Sequence, residues 1–430
     1  MRPVAAVTKL LFLIVIVAMV SGEALPYSSD MPRANLHWKQ NVITVAVSDS
    51  LTAKNSSIKY GSDVSGAISR SLNKWERVAD LSFRHIDSKA QSVSPAGKSG
   101  DGVSLITIAQ TPENILLFER GADDTSAKTR VFYDRSGFIT EADIVLNPFL
   151  QFSTDGTAGT VDLESTLVHE VGHLLGLEHS PVLGSTMYES NEKNGAVRGA
   201  ARGLSEQDIA AVRMLYGPRD DDSCCGEIDG VLTILSGRVT GNLFVWAEDA
   251  GSGRVMAGGA VNAAGEYRLG GLSDGKYRLF VQNTGHAEKL TSAVQLGDVQ
   301  VESGDVKTLN RRIRFGSPGF DLQYLGVNGA VSALAVPVEP GRVTLLFVGG
   351  KGVDEKAIKI ASDSPFVNVI PGTISGQDYD NGLRVISVEV KIDEAAESGE
   401  YSIFGESDGA RRFLVGSLVV GRKRSSTSFD

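Results

Sequence analysis

Three of the chain's six histidines fall in one short run, His169-Glu170-Val171-Gly172-His173-Leu174-Leu175-Gly176-Leu177-Glu178-His179. His169 and His173 are four positions apart, so on a helix they share one face, one turn apart. Two imidazoles so placed can grip one zinc ion, each nitrogen about 2.0–2.1 Å from it. A helix cannot offer a third ligand from the same place, so the chain must turn back. Gly176 permits this, because glycine takes φ > 0 and ends a helix sharply. The turn brings His179 round as the third ligand. Three protein ligands leave the fourth position to water, the arrangement of catalytic rather than structural zinc. Glu170 is placed to take a proton from that water.

The pattern H-E-x-x-H-x-x-G-x-x-H resembles the signature of the metzincin zinc endopeptidases. The second half of that signature, a Met-turn, fits Ser185-Thr186-Met187-Tyr188. His179-Ser180 followed by Met187-Tyr188 is similar to the matrixin branch, and Gly137 to Asn147 resembles the strand before the active-site helix in bacterial matrixin-like proteins. The resemblance implies one catalytic zinc, Glu170 as general base, Met187 as an apolar floor beneath the metal, and protein or peptide substrates. It also implies that the strand Thr129–Tyr133, with Arg130, Val131 and Phe132, is an antiparallel edge over the cleft. An edge strand has unpaired backbone groups to which an extended peptide can add. Tyr188 belongs to the pocket wall in that comparison, but Glu189-Ser190 follow it where the family has proline, so the wall departs from the family pattern. In other metzincin branches a tyrosine two positions after the methionine reaches the zinc; here that position is Glu189. Vertebrate matrixins hold a second zinc on an upstream His/Asp set. No histidine lies between His85 and His169, and a second zinc is not expected. Calcium is an option at Asp123, Asp124, Asp134, Asp143 or Asp155, as the family often has it. None shows EF-hand spacing, so solvated loop carboxylates are the expectation.

The elements that must position these residues follow from periodicity. An alternating strand at Ile43–Val47 precedes a helix over about 63–79, with Val64, Ile68, Leu72, Trp75 and Val78 on one face. Strands are expected at Leu81–Ile86, Val103–Ile108 and Ile139–Leu146, with a polar loop over 88–102. Thr160 or Asp162 can cap the helix that carries His169. Ser205-Glu206-Gln207-Asp208 is a capping-box-like start for a last helix, which Gly217-Pro218 stops. Residues 31–218 thus form the expected catalytic domain, an α+β fold of a twisted sheet with three helices. Such a domain should fold alone. An acidic linker, 219–227, follows. Beyond it the apolar period is that of strands. Residues 228–315 are similar to prealbumin-like, carboxypeptidase-regulatory-like β-sandwiches. Residues 317–421 suggest an immunoglobulin-like β-sandwich without the Cys…Trp…Cys pattern. Residues 422–430 are a basic, Ser-rich tail.

Residues 1–24 read as a secretory signal: Arg2 and Lys9, then the apolar run Leu10–Val20, then small residues. That run is shorter than the ~20 residues that span a bilayer, so the protein is expected to be secreted and extracellular, with no transmembrane segment. A formal net charge of −10 argues against nucleic acid as a partner. Cys224 and Cys225 are the only cysteines and are adjacent. They could form a vicinal disulfide, stay reduced or pair between chains. The competing reading is an extracellular binding or adhesion protein, in which the two sandwiches engage extracellular ligands and the metzincin domain is silent.

Overall fold

The computed structural model describes residues 36–95, 100–118, 125–189, 202–219, 224–235, 242–284, 290–370, 375–378 and 382–421. The expected signal, the basic tail, Asp123 and Asp124 lie outside them. Among the described residues no helix is long and apolar enough to cross a membrane.

The first part of the chain builds a mixed sheet. Its strands are β1 (His37–Trp38), β2 (Val42–Ser48), β3 (Ser82–Ser88), β4 (Leu105–Thr107), β5 (Ala127–Tyr133) and β6 (Phe138–Leu146). β3, β2, β4 and β6 run side by side in parallel. β5 pairs antiparallel with β6, Thr129 opposite Ile144, and is the edge strand that the resemblance implies. Helix α1 (Val64–Glu76) crosses from β2 to β3. Asp63 caps it, and Val64, Ile68, Leu72 and Trp75 are buried along one face. A short helix, α2 (Pro112–Ile115), was not expected. Thr111 caps it and Pro112 opens it, a placement proline favours because its missing N–H would have had no partner there.

Two short parallel strands, β7 (Phe152–Ser153) and β8 (Val161–Asp162), lead into helix α3 (Leu163–Leu174). This helix carries His169 and His173 through the middle of the core. All its residues but His173 are buried. Trp75 of α1 donates from Nε1 to Val168 O at 3.0 Å, and Trp38 of β1 donates to Leu174 O at 2.9 Å. Helix α4 (Glu206–Tyr216) closes the layer, and its Tyr216 hydroxyl donates to Leu175 O at 2.8 Å. Thus three indole or phenol groups pin the backbone of the helix that carries His169 and His173 from three elements.

Beyond residue 224 the named elements among the described residues are all strands. The first sandwich faces a sheet of Val255–Ala260, Asn242–Asp249, Gly275–Thr284 and Val294–Val301 onto one built around Gly226–Ile234. The second faces a sheet centred on Val343–Lys351 and Leu383–Ile392 onto one centred on Ala410–Val420 and Gly399–Ser407. Cys224 and Cys225 are bonded to each other.

Each part has its own apolar core. A fourth cluster joins all three. It gathers Val182 from the loop after His179, Phe244, Trp246, Val255 and Phe280 from the first sandwich, and Phe404, Phe413 and Val415 from the second. Leu183 N–H donates to Val415 O at 2.9 Å, and Ala210 of α4 sits in the core of the first sandwich. The two sandwiches are also tied by polar groups. The Gln282 amide and the Phe413 backbone exchange hydrogen bonds of 3.0 and 3.1 Å. The buried Arg412 guanidinium reaches Asn283 O, Thr291 O and Asp321. The described residues, 36 to 421, accordingly cluster as one compact unit.

Candidate active site

Helix α3 begins where Asp162 accepts from Ser165 N–H at 2.8 Å, so one of the orphan donors of the first turn is satisfied. Glu164, in that first turn, is 3 % exposed and meets Arg70 and Lys74 of α1. Its charge therefore stands at the positive end of the helix dipole and is paired. The helix ends in a Schellman turn. Gly176 N–H donates to His173 O and Leu177 N–H to Gly172 O, both at 2.9 Å, with Gly176 at φ +95°. A side chain at Gly176 would also strike Leu36 O.

This turn does two things. It sends the chain back so that His179 meets the helical pair. It also presents Leu177 O to His173 Nδ1 at 2.8 Å. His169 Nδ1 lies 2.7 Å from Thr186 O. A carbonyl can only accept, so in both rings Nδ1 carries a hydrogen, and in the neutral ring Nε2 is then the nitrogen with the lone pair. The three Nε2 atoms stand 3.1, 3.2 and 3.3 Å apart. Two lone pairs facing one another at such a distance repel unless a cation lies between them. Three nitrogens about 2.0–2.1 Å from a tetrahedral zinc would be about 3.3 Å apart, so the spacing fits that ion. Burial holds the His173 imidazole down at about 3 and His179 at about 4, so both are neutral and able to ligate near neutral pH. Among the described residues, these three are the group of His, Cys, Asp and Glu side chains that converges on one point.

Glu170 is 4 % exposed. Burial pushes its carboxyl up, while His169 and a hydroxyl from β5 pull the other way. That hydroxyl is Thr129 Oγ1, 2.5 Å from Glu170 Oε2. Of the cleft residues expected on β5, Val131 packs on the core, in keeping with the alternation that puts it on Thr129's side. Arg130 turns instead to Ser94 O, beside Asp143, its cross-strand partner in β6. Phe132, half-buried, shares Arg130's side of the strand. The residue of β5 that touches Glu170 is thus Thr129, which the motif does not contain.

Met187 is 2 % exposed and lies on Gly172, where a Cβ would come within 2.2 Å of Met187 Sδ. Glycine between the two helical histidines is what lets the methionine approach. The loop that bears Met187 is fastened by Asp208 of α4. Its carboxylate accepts from Ser185 Oγ, Thr186 N–H and Met187 N–H at 2.5, 2.8 and 3.2 Å, and also closes the capping box with Ser205. Tyr188 follows, half-buried, its phenol pushed up by burial. Neither Asp208 nor the two carbonyls that orient the imidazoles could be found from the histidine motif. The capping-box spacing did mark Asp208, but only as a helix cap.

The described calcium candidates are occupied by protein donors. Asp134 accepts from Ser136 and Phe138 N–H, Asp143 from Ser94 and Leu105 N–H, and Asp155 from Thr157 and Lys59.

Residues 37–217 match the family model for matrixin, Peptidase_M10. The chain is 28% identical over 188 residues to Metalloendoproteinase 1-MMP of Arabidopsis thaliana, which covers 42% of this chain and 44% of that protein. It is 36% identical over 70 residues to Matrilysin of Mus musculus, or 16% of this chain and 25% of that protein. The chain thus spans under half the length of these relatives. Among solved structures, the major pilin subunit BcpA of Bacillus cereus aligns over 45% of this chain and 68% of its own, at 15% identity and a TM-score of 0.17.

Proposed function

With a matrixin domain at residues 37–217, we propose that the protein is a secreted zinc-dependent endopeptidase whose general base is Glu170. The observation that carries this reading is the convergence of three imidazole Nε2 atoms, 3.1–3.3 Å apart, beside a buried carboxyl. His169, His173 and His179 would hold the ion. Zinc so held polarises a carbonyl and lowers the pKa of a coordinated water to about 7.

The chain's own residues do the rest. The open edge of β5 takes an extended substrate as one more strand. Glu170 Oε2 is held by Thr129, which leaves Oε1 to accept a proton from the attacking water. The water oxygen bonds to the carbonyl carbon, the C–N bond breaks, and Glu170 returns the proton to the leaving amine. Met187 keeps the floor beneath the imidazoles apolar, so no other protein group competes for the ion. Secretion rests on the apolar run near the start of the sequence, and the sandwiches are assigned no ligand.

The test pairs metal analysis with casein cleavage. The wild type should hold one zinc and lose activity with 1,10-phenanthroline. Glu170→Ala should keep the zinc and lose about 10²–10⁴-fold in turnover, and His173→Ala should lose the zinc. A zinc-free wild type, or Glu170→Ala with more than about a tenth of wild-type turnover, would sink the reading.

A further inference from the structure

We propose that Thr129 is a positioning residue for the general base, and that through it the strand receiving the substrate also sets the aim of Glu170. The inference rests on the proposed peptidase function. Thr129 Oγ1 lies 2.5 Å from Glu170 Oε2 and 3.2 Å from Glu170 O. A hydroxyl has one hydrogen, and the shorter contact, to the carboxylate, has the length of a charge-assisted bond. The carboxylate is therefore tethered by one oxygen only. That divides its two oxygens between two tasks, since Oε2 is spent on Thr129 and Oε1 is left for the proton.

The tether matters because of what else surrounds Glu170. The side chain has three rotatable bonds and is almost fully buried. Among the described residues its other charged neighbour is His169, whose ring is committed to Thr186 O and to the converging nitrogens. Without Thr129, nothing described fixes the plane of the carboxylate. Thr129 is itself well fixed. Its β-branched side chain restricts χ1, and its backbone is in the ladder with Ile144.

The same strand offers its other edge to the peptide. A substrate strand is laid down in register with the backbone of β5, so its scissile carbonyl is indexed to Thr129. The base is indexed to Thr129 as well, through the hydroxyl. One element thus sets both reacting partners, and a displacement of β5 moves them together. Effects of this kind enter the rate through alignment rather than through binding.

The variants Thr129→Val, which keeps the shape and removes the hydroxyl, and Thr129→Ser, which keeps the hydroxyl, separate the possibilities. Each is made in the full chain and measured beside wild type for kcat, KM, bound zinc and melting temperature. Thr129→Val is expected to lose about ten- to a hundredfold in kcat, the range for one hydrogen bond to a charged group, with KM within about twofold. Its zinc content should stay at the wild-type level. Thr129→Ser should recover most of the loss. A crystal structure of Thr129→Val should show the Glu170 carboxylate turned or spread over several orientations, with the imidazoles unmoved. The proposal is overturned if Thr129→Val keeps wild-type kcat, if its loss lies in KM or in bound zinc, if Thr129→Ser is as impaired as Thr129→Val, or if the carboxylate is unmoved. A zinc-loaded wild type without proteolysis overturns the peptidase reading, and this proposal with it. An active wild type with an indifferent Thr129→Val overturns this proposal alone.

Discussion

Phe413 is the side chain whose removal best tests whether the three parts of the molecule are one machine. It belongs to the second sandwich and is 4 % exposed. Its ring centroid lies 4.8 Å from Phe404, 5.2 Å from Phe280 and 5.3 Å from Trp246, so one ring contacts aromatics of both sandwiches. Val182, from the loop between His179 and Met187, lies in the same cluster. Phe413→Ala deletes these contacts and leaves a cavity among groups held from three sides. A buried Phe→Ala change typically costs about 3–5 kcal/mol, and the poor freedom to collapse argues for the upper half of that range. That is a large share of the 5–15 kcal/mol usual for a folded protein. Denaturation followed by tryptophan emission is the assay, because Trp38 and Trp75 report on the part that matches matrixin and Trp246 on the joint. The variant should lose about 4–5 kcal/mol in stability and release zinc faster to a chelator, since a looser Val182–Leu183 segment frees the Thr186 carbonyl that orients His169. A loss below about 1 kcal/mol, or unchanged zinc retention, refutes the coupling.

Two further outcomes bear on the same joint. A fragment of residues 31–218 leaves Val182 and Ala210 without the partners that bury them, and exposing a buried valine alone costs about 1.5–3 kcal/mol. The fragment should melt well below the full chain and hold zinc poorly, contrary to the autonomy that its sequence suggests; equal melting and zinc retention would contradict this. The second outcome concerns Glu400, which is 7 % exposed, with Oε2 lacking a hydrogen-bond partner among the described residues. Burial first, then the facing Asp208 and Glu206, push its carboxyl up to about 8. The folded state therefore keeps a proton that the unfolded chain releases above the ordinary glutamate value. Stability should fall as pH rises from about 5 to 8, by at most about 1.4 kcal/mol per unit, and Glu400→Gln should flatten that slope in denaturation curves. An unchanged slope in the variant would assign the effect elsewhere.

The histidine motif and the elements around it were legible because their signals are local. Helix α3, its Gly176 turn, the Ser205 capping box and the alternating strands depend on residues within a few positions of one another. What was not legible depends on residues far apart in the chain. Thr129 reaches Glu170 from another element, and no spacing rule links them. The joint around Val182 is similar, yet it left a trace. Leu243-Phe244-Val245-Trp246-Ala247 is a continuous apolar run rather than an alternation, and the strand is buried on both faces. Such a run asks for a cover on each side. The second sandwich and the loop after His179 are that cover.

The bond from Leu183 to Val415 also has a consequence in time. A chain is made from its N-terminus, at about 5–20 residues per second, and its parts fold largely in that order. The histidines emerge early, with most of the elements that position them. The strand on which their supporting loop rests is made more than two hundred residues later. For at least about ten seconds of synthesis the imidazoles can exist while the segment bearing Thr186 and Met187 has no outer wall. Completion of the site is thereby deferred until the strand Ala410–Val420 has been made and closes over Val182.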